Sequence, residues 1–151
     1  MANTQSMCTS FMSELMTATH NFGTAPTRGS STADTFYGAL YLTSATLGAG
    51  TTAYTATGEV SGPGYSAGGI AVTNATPPTS SGTTAYWTPS ASLVYTGVTL
   101  TTAFDTVLIY NQTQSNKAVS VHTFGSQTIT AGTFTLTMPA NTNTTALIRL
   151  A

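Results

Sequence analysis

Short runs of apolar and β-branched residues recur along this chain at intervals of about ten residues, separated by Gly, Pro and Asn. Runs of this length are typical of strands, and this spacing is typical of β-sandwiches and small barrels. No linker divides the chain and no internal repeat is visible. The pattern therefore predicts one all-β domain over residues 1–151, with an immunoglobulin-like or jelly-roll-like β-sandwich over residues 36–150 favoured over a barrel.

The predicted strands differ in how strongly they are marked. Residues 104–110 (FDTVLIY) form the most continuous apolar run, and residues 133–138 show the cleanest alternation of apolar and polar side chains. The predicted strands comprise residues 36–43, 85–88, 92–101, 104–110, 118–124, 127–130, 133–138 and 146–150, and residues 70–72 form a further short apolar run.

Turn residues predict how some of these strands connect. The polar segment 111–116 predicts a hairpin, across which Asp105 and Lys117 are expected to lie close and to help to fix the register. A second turn is predicted at residues 131–132, and residues 73–84 are predicted to form a loop.

One helix is predicted, over residues 7–19, because apolar residues recur there at four-residue intervals and form a single stripe. A helix of this length is marginal alone in water, so its stripe must dock on another surface. That surface is either the core of the domain, which is favoured, or a neighbouring subunit, for which methionines offer an adaptable contact. The candidate interface residues are Met7, Phe11, Met12, Leu15 and Met16.

Charge is scarce in this sequence. Charged residues make up 5% of the chain and the net charge is −1, whereas a soluble domain typically contains about 25% charged residues. A surface of Thr, Ser, Asn and Gly repels its own copies weakly, so association is expected. Composition alone leaves two alternatives open: a protein that lives within an assembly, or an extracellular domain with a hydroxyl-rich surface.

The same scarcity excludes several classes of function. The three basic residues, Arg28, Lys117 and Arg149, are spread over the chain, so no nucleic-acid partner is expected. No membrane partner is expected either, because no run of 18 apolar residues occurs. The N-terminus lacks the pattern of a secretory signal. The single Cys8 cannot form an internal disulfide and fits synthesis in a reducing cytoplasm.

Residues that carry chemistry do not cluster in this sequence. His20 and His122 are each isolated from other ionisable residues, and a structural role is favoured for both. No spacing of His, Cys, Asp or Glu suggests a metal site, and no serine motif suggests a nucleophile. We therefore expect no catalytic residues, no metal and no cofactor.

Glycine is concentrated between residues 53 and 73 (AYTATGEVSGPGYSAGGIAVT). Such density indicates tight turns or close backbone approach, and the tyrosines are expected to fix the loop to a core. Glu59 is expected to accept N–H groups from the turn or to pair with Arg28 or Arg149, and a ligand or ion contact is the less favoured alternative. The predicted structural loop comprises Gly58, Glu59, Gly62, Pro63, Gly64, Tyr65, Gly68 and Gly69.

Three groups of residues resemble small structural proteins of tailed bacteriophages. They are the string ALYL at residues 39–42, the segments TAYT at 52–55 and GEVSGPGYSAGG at 58–69, and the path from YW at 86–87 through VLIYN at 107–111 to FG at 124–125. The similarity extends over about residues 36–150, and the glycine-rich core is its most specific part. Pro63 departs from the family, in which Thr is common there, and residues 7–19 are less typical.

The resemblance implies a virion structural protein that is made in the host cytoplasm and is not an enzyme. It leaves open a tail or head fibre or appendage, a capsid decoration protein and a tail component. The low charge favours the particle exterior, where identical subunits repeat by symmetry. We therefore expect homo-oligomers that contact other virion proteins, and open sheet edges rich in Thr offer places for a partner strand to pair.

A host receptor- or glycan-binding module is the main alternative from another class. It would use exposed aromatic rings to stack on sugars, with neighbouring Thr and Asn bonding to hydroxyls. In a sandwich such rings are more often part of the core. The candidate rings are Tyr37, Tyr54, Tyr65, Tyr86 and Trp87.

Overall fold

The computed structural model describes residues 3–16, 19–22 and 33–151. Nearly all of the regular structure is β: two antiparallel sheets and one short helix, which confirms the all-β prediction and is consistent with a β-sandwich. The elements are β1 (Ser6–Met7), α1 (Thr9–Met16), β2 (Phe36–Leu42), β3 (Ile70–Ala71), β4 (Thr79–Ser81), β5 (Thr84–Trp87), β6 (Leu93–Asn111), β7 (Lys117–Leu136) and β8 (Ile148–Leu150). The large sheet has the order β1-β7-β6-β2-β3, and the small sheet has the order β4-β5-β8.

The large sheet is built on one long hairpin, β6–β7. The polar turn predicted between the two strands is present, since Asn111 pairs with Lys117. The strands predicted over residues 92–101 and 104–110 form the single strand β6. Those predicted over residues 118–124, 127–130 and 133–138 form the single strand β7. The gaps between the predicted strands, residues 102–103, 125–126 and 131–132, lie at or beside register shifts, and Ala131 has a φ of 46°. The predicted turn at residues 131–132 is therefore wrong, because the chain absorbs the irregularity as a bulge and continues in the same direction.

The predicted proximity of Asp105 and Lys117 is also wrong. The hairpin register places Thr106 opposite Thr123, so Asp105 lies well away from the start of β7. Lys117 Nζ donates instead to Glu14 Oε1 at 2.6 Å. The prediction of a loop over residues 73–84 missed β4, whose three residues are all exposed and carry no apolar signal.

The helix is shorter than predicted. It spans Thr9–Met16, Met7 belongs to β1, and residues 17–18 lie outside the described residues. The residues before the helix are held in the large sheet instead: Ser6 and Met7 pair with Val121 and Ser120 of β7, and Cys8 N–H donates to Val119 O at 3.1 Å. Tertiary hydrogen bonds therefore set the start of the helix.

Both faces of the large sheet are covered. Tyr110 and Asn111 are adjacent in β6, so their side chains point to opposite faces. Tyr110 contacts the glycine-rich loop through Gly68 O, at 2.9 Å. Asn111 contacts His20, which follows the helix.

The small sheet packs on the same face of the large sheet as the helix. Phe22 stacks on Phe36 of β2 with ring centroids 4.5 Å apart, and it lies 4.7 Å from Trp87 of β5. The buried aromatic rings therefore join the two sheets, and the C-terminal part of β6, residues 106–111, is buried on both faces.

Candidate functional site

The glycine-rich loop is organised around the carboxylate of Glu59. Oε1 accepts hydrogen bonds from the hydroxyl of Tyr65 at 2.7 Å and from the N–H of Gly68 at 2.7 Å. Oε2 accepts one from the hydroxyl of Tyr54 at 2.6 Å. The expected acceptance of a turn N–H is thus present, and Glu59 forms no ion pair with any described residue. The other expected partner, Arg28, lies outside the described residues.

The tyrosines extend this cluster into the large sheet. The Tyr65 hydroxyl accepts the N–H of Leu40 in β2 at 3.0 Å. The ring of Tyr54 stacks on that of Tyr110 at 4.9 Å. Burial, followed by the nearby charge of Glu59, raises the pKa of Tyr110 to about 12. Burial likewise raises the pKa of Tyr65, so these hydroxyls remain protonated and act as hydrogen-bond donors.

Three glycines allow the loop to lie directly on neighbouring strands. A Cβ at Gly62 would lie 2.1 Å from Thr99 O, and one at Gly64 would lie 2.2 Å from Gly97 O. Gly69 has a φ of 76°, and a Cβ there would lie 1.8 Å from Gly38 O. Pro63 lies between two of these glycines, and its carbonyl accepts the N–H of Thr99 at 2.8 Å. The glycine pattern is therefore explained by packing of the loop on backbone, and it forms no phosphate-binding cradle.

The candidate interface residues fall into different environments. Phe11 is 1% exposed and belongs to the core, so it is not available to a partner. Met7 and Leu15 are half-buried and pack against the same core. The side chains of Met12 and Met16 lie outside the described part of the structure. For the described members, core packing is what the structure shows.

A buried polar network attaches the helix to the hairpin. Glu14 lies 2.7 Å from His20 Nε2 and 2.6 Å from Lys117 Nζ. Burial alone would raise the pKa of Glu14, but the bonds from Lys117 and His20 outweigh it and lower that pKa. Burial lowers the pKa of His20, which favours the neutral imidazole.

The network continues from His20 into the base of β2. The side-chain amide of Asn111 reaches His20 Nδ1 at 3.0 Å and Asp34 Oδ2 at 2.8 Å. Its two N–H groups serve both acceptors, so the imidazole proton is assigned to Nε2, facing Glu14. Every polar group in this chain of contacts has a partner, which is the condition for a stable buried network. The network therefore has a structural role, which is to attach the helix to the β6–β7 hairpin.

His122 is the second histidine, and it lies in a surface cleft of about 400 Å³. Its Nε2 is 2.8 Å from Ser120 Oγ, and Ser120 is 2% exposed. Burial lowers the pKa of His122 to about 4, so the imidazole is neutral at physiological pH. This weak base and inaccessible hydroxyl do not make a nucleophilic site.

Most of the scarce charge is bonded internally. Six of the seven charged residues lie in the described part of the chain, and five of these bond to protein groups there: Glu14, Asp34, Glu59, Asp105 and Lys117. Arg149 is the exception, since no described residue bonds to its exposed side chain. The outer surface therefore presents very little free charge.

The β7 strand provides an edge that sequence reasoning did not locate. In the large sheet β7 lies between β6 and β1, but β1 covers only Ser120 and Val121. Within the described ranges, no strand pairs with residues 122–136 on the side away from β6. This segment, HTFGSQTITAGTFTL, contains no Asp, Glu, Lys, Arg or Pro. The lack of charge is the one unusual feature of this segment in the sequence, and that feature alone does not indicate an unpaired sheet edge.

The five aromatic rings considered for sugar stacking are all at least half-buried. Tyr54 and Tyr65 bond to Glu59, and Trp87 is 2% exposed with its Nε1 bonded to Thr76 O at 2.9 Å. Among the described residues, no group of three or more His, Cys, Asp or Glu is arranged to hold a metal ion. None of the described helices is both long and apolar enough to cross a membrane.

Comparison of the chain with protein-family models, with curated proteins and with solved structures finds no match.

Proposed function

We propose that this chain is a bacteriophage virion structural protein on the particle exterior. It acts there as a tail or head fibre or appendage subunit, through self-assembly and docking to neighbouring virion proteins. The resemblance of residues 36–150 to structural proteins of tailed phages supports the class of protein. The internal bonding of five charged side chains is the observation that carries the assembly role.

A surface with very little free charge has little electrostatic protection against association. In an exposed monomer this is a liability, whereas in an assembly the neighbouring subunits cover the neutral faces. Residues 122–136 offer one place for such contact, because their outward backbone groups lack a strand partner in the described structure. Register shifts interrupt this edge, so pairing would use short regular segments such as residues 134–136.

The location is tested on gradient-purified virions of the phage that encodes the chain. Mass spectrometry is expected to find the protein in intact particles, and a cryo-electron microscopy reconstruction is expected to place it outside the capsid or tail. A small number of copies at one vertex or on the tail supports a fibre or appendage. Copies that follow the capsid lattice would replace that assignment with a decoration protein, and absence from particles would refute both.

The assembly role is tested separately with purified protein by light scattering. The wild-type chain is expected to form discrete oligomers. Thr128→Lys and Thr133→Lys place a charge at exposed positions of β7, and we expect them to weaken association. Thr83→Lys adds the same charge at an exposed turn and serves as the matched control. A wild-type chain that stays monomeric at high concentration would contradict self-assembly.

A further inference from the structure

Arg149 is the charged side chain that the described fold leaves without a partner, and it lines the cleft that contains His122. The cleft lies where the two sheets meet, between β1 at the edge of the large sheet and β8 at the edge of the small sheet. Arg149 is exposed on β8, whereas its neighbour Ile148 is buried. None of the described residues that line the cleft is Asp or Glu, so no carboxylate among them neutralises the guanidinium.

The remaining lining combines small polar groups with an apolar wall. The cleft volume of about 400 Å³ is within the range of small-ligand sites. Gln5, His122 and Thr145 contribute donors or acceptors, and the apolar residues include Leu147. Because the imidazole of His122 is neutral at physiological pH, Arg149 is the one positive charge among the described residues that line the site.

We propose that this cleft binds an acidic monosaccharide unit, whose carboxylate is held by Arg149 and whose hydroxyls bond to the polar groups of the lining. The planar guanidinium matches a carboxylate with two parallel hydrogen bonds. Neutral hydroxyl, amide and imidazole groups can both donate and accept, as sugar hydroxyls require. No described Phe, Tyr or Trp lines the cleft, so the carboxylate supplies the recognition that stacking on such rings provides for neutral sugars. This site is separate from the β7 edge and from the assembly role.

The test uses two probes that differ only in the acidic group, methyl β-glucuronide and methyl β-glucoside, with binding followed by ligand-observed NMR and calorimetry. We expect the glucuronide to bind at least about tenfold more tightly, which corresponds to one charge-assisted contact. Binding should weaken as salt is raised, because the contact is exposed.

Two variants locate the binding. Arg149→Gln should abolish the preference for the glucuronide, whereas Arg149→Lys should retain part of it because the charge remains without the planar fork. Arg149 is exposed, so both variants are expected to fold, and thermal unfolding checks this. Equal binding of the two sugars, or a preference that survives Arg149→Gln, would overturn the proposal. So would a short glutamate-containing peptide that binds more tightly than the glucuronide, since the ligand would then be a protein carboxylate.

These measurements use the purified chain and need no virion. If the chain does not bind the sugar, the assembly role is unaffected. If the protein is absent from virions, the proposed binding site is unaffected.

Discussion

Tyr65 and Glu59 are joined by a 2.7 Å hydrogen bond, and the same tyrosine hydroxyl accepts the backbone N–H of Leu40. One side chain thus connects the glycine-rich loop to β2 of the large sheet. The carboxylate of Glu59 also accepts hydrogen bonds from the hydroxyl of Tyr54 and from the N–H of Gly68. The loop is therefore fixed by a polar cluster in addition to its close packing on backbone, which makes it a rigid layer of the sandwich.

Replacement of Glu59 by Gln should destabilise the fold by at least about 2 kcal/mol, because hydrogen bonds to a charged group contribute about 1.5–3 kcal/mol each. The amide has one acceptor oxygen, whereas the carboxylate accepts three bonds on two oxygens. Denaturation in urea measures the loss. Asp105→Asn is the matched control, since Asp105 uses only Oδ1 and an amide oxygen can replace it. Equal losses in the two variants would contradict the special role of the Glu59 cluster.

Replacement of Gly69 by Ala should cost considerably more than replacement of Gly82 by Ala. Both glycines have positive φ, 76° and 60°, so both variants introduce backbone strain of about 1–2 kcal/mol. Only at Gly69 does the new Cβ meet backbone, at 1.8 Å from Gly38 O, whereas the space at Gly82 is open. We expect a difference of at least about 2 kcal/mol in the free energy of unfolding. Similar values for the two variants would show that the loop can move off β2 at little cost.

Much of the fold was predictable because the buried strands have apolar signals of their own. Residues 104–110 and the polar turn after them predicted the centre of the large sheet correctly. The continuity of β6 and β7 was not predictable. Ala131 and Gly132 can form either a turn or a bulge, and pairing with the neighbouring strand decides between the two. The start of α1 was missed for a similar reason, because Met7 pairs in the sheet with Ser120, a residue far along the chain.

The candidate site was predictable only in its local part. The position of Glu59 beside glycines indicated that it would accept a turn N–H, and Gly68 provides one. The convergence of two tyrosine hydroxyls on the same carboxylate depends on the path of the loop, which no spacing reveals. The cleft at Arg149 joins β1, β7 and β8, which are far apart in the chain, so it appears only once the sheets are assembled.

The thiol of Cys8 should be unreactive in the folded protein. Its side chain is fully buried, and burial, followed by the charge of Glu14, raises the pKa of the thiol to about 11. The reactive thiolate is therefore scarce and inaccessible at pH 8. Ellman's reagent should label native protein far more slowly than protein unfolded in guanidinium. Rapid stoichiometric labelling of the native protein would show that the segment between β1 and α1 opens readily.

The last prediction concerns the pH dependence of stability and follows from His122. Its pKa falls from an ordinary value of about 6.5 to about 4 in the fold because of burial. Between these values the unfolded chain binds the proton and the folded chain does not, so stability is full above about pH 6.5 and declines towards pH 4. One pKa unit corresponds to about 1.4 kcal/mol, so the decline between pH 7 and pH 5 reaches about 2 kcal/mol.

His122→Gln keeps a polar partner for Ser120 and removes the titrating group. We expect the difference in the free energy of unfolding between pH 7 and pH 5 to shrink by about 1–2 kcal/mol in this variant. His20 and Glu14, whose pKa values are also lowered in the fold, contribute to the part that persists. An unchanged difference, measured by urea denaturation at the two pH values, would show that the imidazole of His122 gains a proton in the folded protein as easily as in the unfolded chain.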